Sequence, residues 1–168
     1  MPFTPFHFGP HACVSLPLQR HIDVPVFLAS NIAIDIEPLL VMMYRLNYPL
    51  HGYCHTFLIG SLIGLFWGFI LFPFRRLIGN AMSFLRLPYS STLSKMLLSG
   101  ILGVWLHILF DAPLYQDIRA FYPLTINPFL GLFSMKVIYG ASALLFLPAL
   151  MIYLSIVLSQ KAKIKESS

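Results

Sequence analysis

At 168 residues the chain has the length of one domain, but 58% of it is hydrophobic and only 10% is charged, which is not the composition of a soluble globular protein. The formal net charge of +5 sits at the ends of apolar runs and is not interleaved with polar residues in a patch, which argues against a nucleic-acid surface and for membrane topology. Two cysteines, Cys13 and Cys54, cannot make a disulfide framework and show no paired metal spacing, so they read as small buried hydrophobes.

In chain order, residues 1–23 are rich in proline and histidine and hold no apolar run near the roughly 20 residues a crossing needs. They read as an interfacial region folded over the bundle. They also lack the basic start and continuous apolar core of a secretory signal, so they are expected to remain on the mature protein. His7 and His11 are four apart, but Gly9 and Pro10 between them argue against a regular helix.

Val24 to Leu46 carries Asp35 and Glu37 at its middle, with Pro38 directly after. Proline disfavours helical geometry in the residue before it, which predicts two short helices, Val24 to Ile34 and Leu39 to Tyr44, meeting at a polar bend sheltered by protein. A broken span with a buried acidic hinge is the competing reading; if Val24 to Leu46 crosses fully, His7 falls on the cytoplasmic side and drops out of the site. Phe57 to Phe74 reads as a membrane helix ended by Arg75 and Arg76, Met96 to Leu114 as a second span and Val137 to Leu158 as a third. Tyr115 to Met135 is a polar connection in which Asp117 and Arg119 are expected to pair.

The loop holding Arg75, Arg76, Arg86 and Lys95 contains no acid, and the tail carries Lys161, Lys163 and Lys165. The positive-inside rule places both in the cytoplasm, and three antiparallel spans satisfy both at once. The predicted fold class is therefore all-α: an integral membrane helical bundle of about three full spans plus short or re-entrant N-terminal helices, forming one multi-pass domain over 1–168 in the cell membrane. His55 then enters the first span, and Asp111 leaves the second, on the outer side.

His107 and Asp111 carry the chemistry. Placed four apart at the end of an apolar helix, they point to one side and can grip an ion together. His51 and His55 repeat the spacing, with Gly52 giving the backbone freedom to turn between them. Asp35 and Glu37, two apart, do not share a helix face. At a bend either could turn inward, Asp35 to bridge ions and either to orient a water. Imidazole and carboxylate together are the ligand set of zinc and related divalent ions, and an ion would remove the cost of burying them. Plainer readings stand beside these: an intramembrane His107–Asp111 pair without metal, interfacial histidines at 51 and 55, and a structural hinge at 35–37. Thr56 reads as a helix cap; His11 and His21 read as surface residues.

Four stretches carry a resemblance: Pro2-Phe3-Thr4-Pro5-Phe6-His7-Phe8-Gly9-Pro10, Ala33-Ile34-Asp35-Ile36-Glu37-Pro38, His51-Gly52-Tyr53-Cys54-His55-Thr56 and His107-Ile108-Leu109-Phe110-Asp111-Ala112-Pro113. In this order they resemble the predicted membrane-bound metal-dependent hydrolases of prokaryotes, a family similar in motif order to zinc-dependent phospholipase C and fungal zinc nucleases. The resemblance reaches from the N-terminus to about Pro128. It implies metal ligands at His7, Asp35, His55, His107 and Asp111, with His51 as an addition. The further histidine and glutamate of the phospholipase pattern have no counterpart after Asp111, which implies one or two ions rather than three.

The expected activity is hydrolysis of a phosphoester, in a membrane lipid or lipid-linked substrate, by a metal-activated water near the outer face. Zinc is the expected ion, with manganese as the alternative, and Asp35 or Glu37 is expected to orient the water. No nucleic-acid partner is expected, and an oligomer is allowed. The alternative class is a non-enzymatic metal-binding or transport membrane protein.

Overall fold

The computed structural model describes residues 5–166, with side chains described as far as residue 162. Pro2, Phe3 and Thr4 of the first motif and the side chains of Lys163 and Lys165 lie outside the described residues. All regular structure among the described residues is helical. A 3-10 turn, Pro5–His7, leads into α1 (Phe8–Ser15), followed by α2 (Val24–Met43). A second turn, Tyr53–His55, precedes α3 (Phe57–Leu71), which continues through the turn Phe72–Phe74 into α4 (Arg75–Phe84). Then come α5 (Leu93–Asp111), α6 (Met135–Leu144) and α7 (Phe146–Glu166). Four stretches, Val24–Met43, Phe57–Phe84, Leu93–Asp111 and Met135–Ala162, are long and apolar enough to cross a membrane.

The two short helices expected around Pro38 are instead one continuous α2. Pro38 withholds one N–H, the donor that would reach the Ile34 carbonyl, whereas unwinding there would strand several backbone groups among apolar neighbours. One lost bond costs less than a bend. Asp23 starts this helix: its Oδ1 accepts from the Val26 N–H at 3.1 Å, and Pro25 occupies the first turn, where no donor is needed. Thr56 caps α3 as expected, accepting from the Ile59 N–H at 3.1 Å.

α5 is the central helix. Gly60, Gly64 and Gly68 recur every fourth residue on α3 and turn one bare stripe toward it. A Cβ on Gly64 would lie 2.5 Å from the Gly100 carbonyl carbon, and one on Gly68 would lie 2.6 Å from the Met96 oxygen. The backbones therefore touch, which is how helices associate where lipid offers no hydrophobic gain. On another face, a Cβ on Gly103 would meet the Phe27 oxygen at 2.5 Å, fixing α2 equally close.

The N-terminal segment departs most from expectation. It is not folded over the bundle but packed into it. His7 lies beside Asp111, the His11 ring meets the Gly103 oxygen at 3.0 Å, and the Lys95 Nζ donates to the Gln19 oxygen at 2.7 Å, so residues 7–19 run antiparallel to α5. Pro10 does not prevent the helix because it falls in the first turn of α1. His11, expected at the surface, is fully buried. Since residues 7–22 traverse the depth before α2 crosses back, a full-length α2 and a His7 at the Asp111 end coexist.

The expected third span lies within the stretch Met135–Ala162, with a one-residue interruption at Leu145. Pro148 cannot donate to the Leu144 carbonyl, and α6 gives way to α7 there, with the Cys13 Sγ donating to the Leu145 oxygen at 3.0 Å. The connectivity gathers Arg75, Arg76, Arg86, Lys95 and Lys161 at one end of the bundle and the loops 44–56 and 112–134 at the other.

Candidate metal centre

Asp35 projects from α2, His55 closes the turn that leads into α3, and His107 and Asp111 occupy the last turns of α5. The glycine contacts that draw α2 and α3 against α5 bring these groups together. One ligand atom from each of Asp35, His55, His107 and Asp111 lies within 4.8 Å of all the others. The cluster is sealed, with both histidines at 0% exposure and the two aspartates at 4% and 5%.

His107 Nε2 stands 3.3 Å from Asp35 Oδ1 and 3.1 Å from Asp111 Oδ2; His55 Nε2 stands 3.8 Å from Asp35 Oδ1. Neither nitrogen makes a hydrogen bond there. The opposite ring atoms explain the arrangement. Asn31 Nδ2 donates to the Leu28 oxygen at 3.0 Å, so its Oδ1 faces His107 and accepts from Nδ1–H at 3.0 Å. In the neutral ring this leaves the Nε2 lone pair pointing at the two carboxylates. His55 repeats the pattern, with Nδ1 3.4 Å from Glu37 Oε2 and Nε2 directed inward. Two imidazole lone pairs and two carboxylates facing one buried space repel one another unless a cation or a proton lies among them, and a metal ion would meet all four at once. An amide or carboxylate behind the outer nitrogen of a histidine is also how proteins orient histidine ligands. The donor set, two nitrogens and two anionic oxygens, could hold a metal ion.

His7 joins at the edge. Its Nε2 is 3.2 Å from Asp111 Oδ1, its ring stacks on His107 with centroids 4.3 Å apart and planes 19° apart, and its Nδ1 has no hydrogen-bond partner. Asp111 thus turns one oxygen to each histidine.

His51 is placed differently. Its backbone N–H donates to Asp117 Oδ2 at 2.8 Å and its Nδ1 lies 3.1 Å from Asp117 Oδ1, while its ring packs 4.8 Å from His55 and 4.1 Å from Tyr115. This pairing replaces the expected contact between Asp117 and Arg119. Burial and the nearby His55 push the His51 ring below its usual range despite Asp117. Burial would raise Asp117, but the bonds from His51 outweigh it and hold the carboxyl low.

Glu37 does not reach the cluster's interior. It lies behind His55, where it accepts from the Gly52 N–H at 3.0 Å and the Cys54 N–H at 3.2 Å. Its place is that of a buttress rather than a carboxylate free to orient water. Asn31 was not singled out from the sequence, although the signal exists: it is an amide four residues before Asp35 on the same helix face. Comparison with known protein families, with curated proteins and with solved structures finds no match for the chain.

Proposed function

We propose that the chain is a membrane-bound, metal-dependent hydrolase of the kind its motifs resemble, cleaving a phosphoester of a lipid or lipid-linked substrate. The observation behind this reading is the pair of buried, unpartnered Nε2 atoms of His55 and His107 facing Asp35 and Asp111. A bound zinc, or in its place manganese, would supply a water acidified to about pKa 7 and would polarise the phosphoryl oxygen. In the hydrolysis, the water oxygen bonds to phosphorus as the ester P–O bond breaks, and the departing alcohol takes up a proton.

The chain's own groups have separate duties in this scheme. Asn31 and Glu37 hold the two imidazoles with their lone pairs inward. Asp35 is the carboxylate left to orient the water, since Glu37 is occupied. His7 steadies the outer oxygen of Asp111. The basic end of the bundle, placed in the cytoplasm by the positive-inside rule, puts the cluster near the outer face.

The test is metal analysis of purified protein together with a panel of phosphoesters. Bound zinc or manganese in a fixed ratio to the chain, and turnover that disappears with the metal in His107→Ala, are expected. Metal-free wild-type protein with these side chains still ordered would overturn the reading. The near-complete burial of the four groups favours a second reading, a closed non-enzymatic metal site or transport component, because a catalytic ion keeps a position open. Metal uptake by reconstituted vesicles with no turnover of any phosphoester would select it.

A further inference from the structure

Two unexplained spaces adjoin the cluster, and one residue lines both. A cavity of about 190 Å³ opens beside His51, bounded by Tyr48, Thr56, Asp117 and Arg119. It lies one ring from the centre, because the His51 side chain on its wall packs against the His55 ring. Arg119 is exposed at this cavity, and with Asp117 held by His51 and Glu37 held by His55 its guanidinium has no ion-pair partner among the described residues. An unpaired guanidinium offers a fork suited to a phosphate.

The second space is an open groove of about 450 Å³ along α2 and α3, walled by Ile36, Leu40, Leu46, Tyr48, Cys54 and Ile63. Its volume is that of a ligand site rather than of a packing defect. Ile36 and Leu40 face outward on a stretch long and apolar enough to cross a membrane, and Leu46 is exposed just beyond its end. The acid on its wall, Glu37, already accepts from Gly52, Cys54 and Tyr48, so the groove asks nothing polar of an occupant.

Tyr48 is the partition between the two. Its ring lies directly on Gly52, where a Cβ would collide with it, and its hydroxyl accepts from the Tyr53 N–H at 3.2 Å. A chamber with a free guanidinium and an apolar groove, sharing one wall, match a molecule with an anionic head and a hydrocarbon tail.

We infer that the site takes an anionic, phosphate-bearing membrane lipid, its head in the Arg119–His51 cavity and one hydrocarbon chain in the α2–α3 groove, with Tyr48 at the junction. Calling this lipid the substrate rests on the hydrolase function proposed above; its binding does not.

The experiment uses wild-type protein in lipid nanodiscs doped with a phosphatidic acid carrying a diazirine in one acyl chain, with peptide mapping after irradiation. Label should concentrate on Leu40, Leu46 and Ile63. It should fall about tenfold in Leu40→Trp, which fills the groove from an exposed position, and in Arg119→Ala, which removes the head contact. Metal content and thermal stability should be unchanged in both variants. Label spread evenly over the outward residues of α3 and α7, or equal groove labelling by a diacylglycerol bearing the same diazirine, would overturn the inference. The two proposals fail separately: a metal-free, inactive protein that is still labelled in the groove loses the hydrolase and keeps the lipid site, and an active metalloprotein with even labelling does the reverse.

Discussion

The two ends of the bundle each bury an aspartate, and they treat it in opposite ways. At the basic end Asp23 is 1% exposed, yet both its carboxylate oxygens and its own N–H have hydrogen-bond partners. Its Oδ1 takes the Val26 N–H, its Oδ2 takes the Ser91 hydroxyl, and its own N–H goes to Ser99 Oγ at 2.7 Å. At the other end Asp35 and Asp111 face the Nε2 atoms of His55 and His107, neither of which makes a hydrogen bond. Burial of an acid therefore does not mark a site. What marks it is the chemistry of the atoms opposite, hydrogen-bonded donors in one case and unpartnered ring nitrogens in the other.

The contrast can be broken most severely at the centre itself. His107→Ala and Asp111→Ala should each remove the bound metal, as read by elemental analysis, while Asp23→Ala should leave metal content untouched. Next in size is the seam that brings the ligands together. Gly100→Leu forces a side chain into the α3 backbone and should cost about 3 kcal/mol or more, seen as loss of the monodisperse peak on size exclusion. If the cluster were as self-sufficient as Asp23, replacing His107 and Asp111 together by leucine would fold normally and change nothing else.

A smaller change sharpens the comparison from behind the ligands. Asn31→Ala and Glu37→Gln should keep the fold and weaken metal binding by about 10–100-fold in a chelator competition, because each frees a ring that it now orients. Asp23→Ala should lower stability by about 1 kcal/mol through its lost cap, without altering that competition curve. The smallest effect is expected at Leu62, whose side chain faces outward on α3; Leu62→Ala should stay within about 0.5 kcal/mol by thermal melt.

The cluster was largely legible in the sequence because ionisable side chains in apolar surroundings are conspicuous: Asp35, His55, His107 and Asp111 stood out for that reason. His7 was reachable only through the motif resemblance, since nothing local shows that its segment turns back along α5. His51 and His55 come together with ring centroids 4.8 Å apart, not along a helix face but through the turn after Gly52, whose freedom to turn the sequence showed. Pro10 and Pro38 were read as breakers, but one falls where no donor is needed and the other where breaking costs more than continuing. The glycine period 60-64-68 was available and carried the helix pairing, yet a period of small residues says which face is bare and not which helix meets it.

The four clustered groups come from three stretches that are far apart in the chain, α2, the turn before α3, and the end of α5. An ion gripped there is also a reversible cross-link. It would close two long loops at once, in a bundle whose helices gain little from apolar contact alone when lipid surrounds them. Occupancy would then report as mechanical cohesion: the melting temperature should climb with free metal concentration, and chelation should loosen α2, held close to α5 at one glycine, Gly103, before α3, held along Gly60, Gly64 and Gly68.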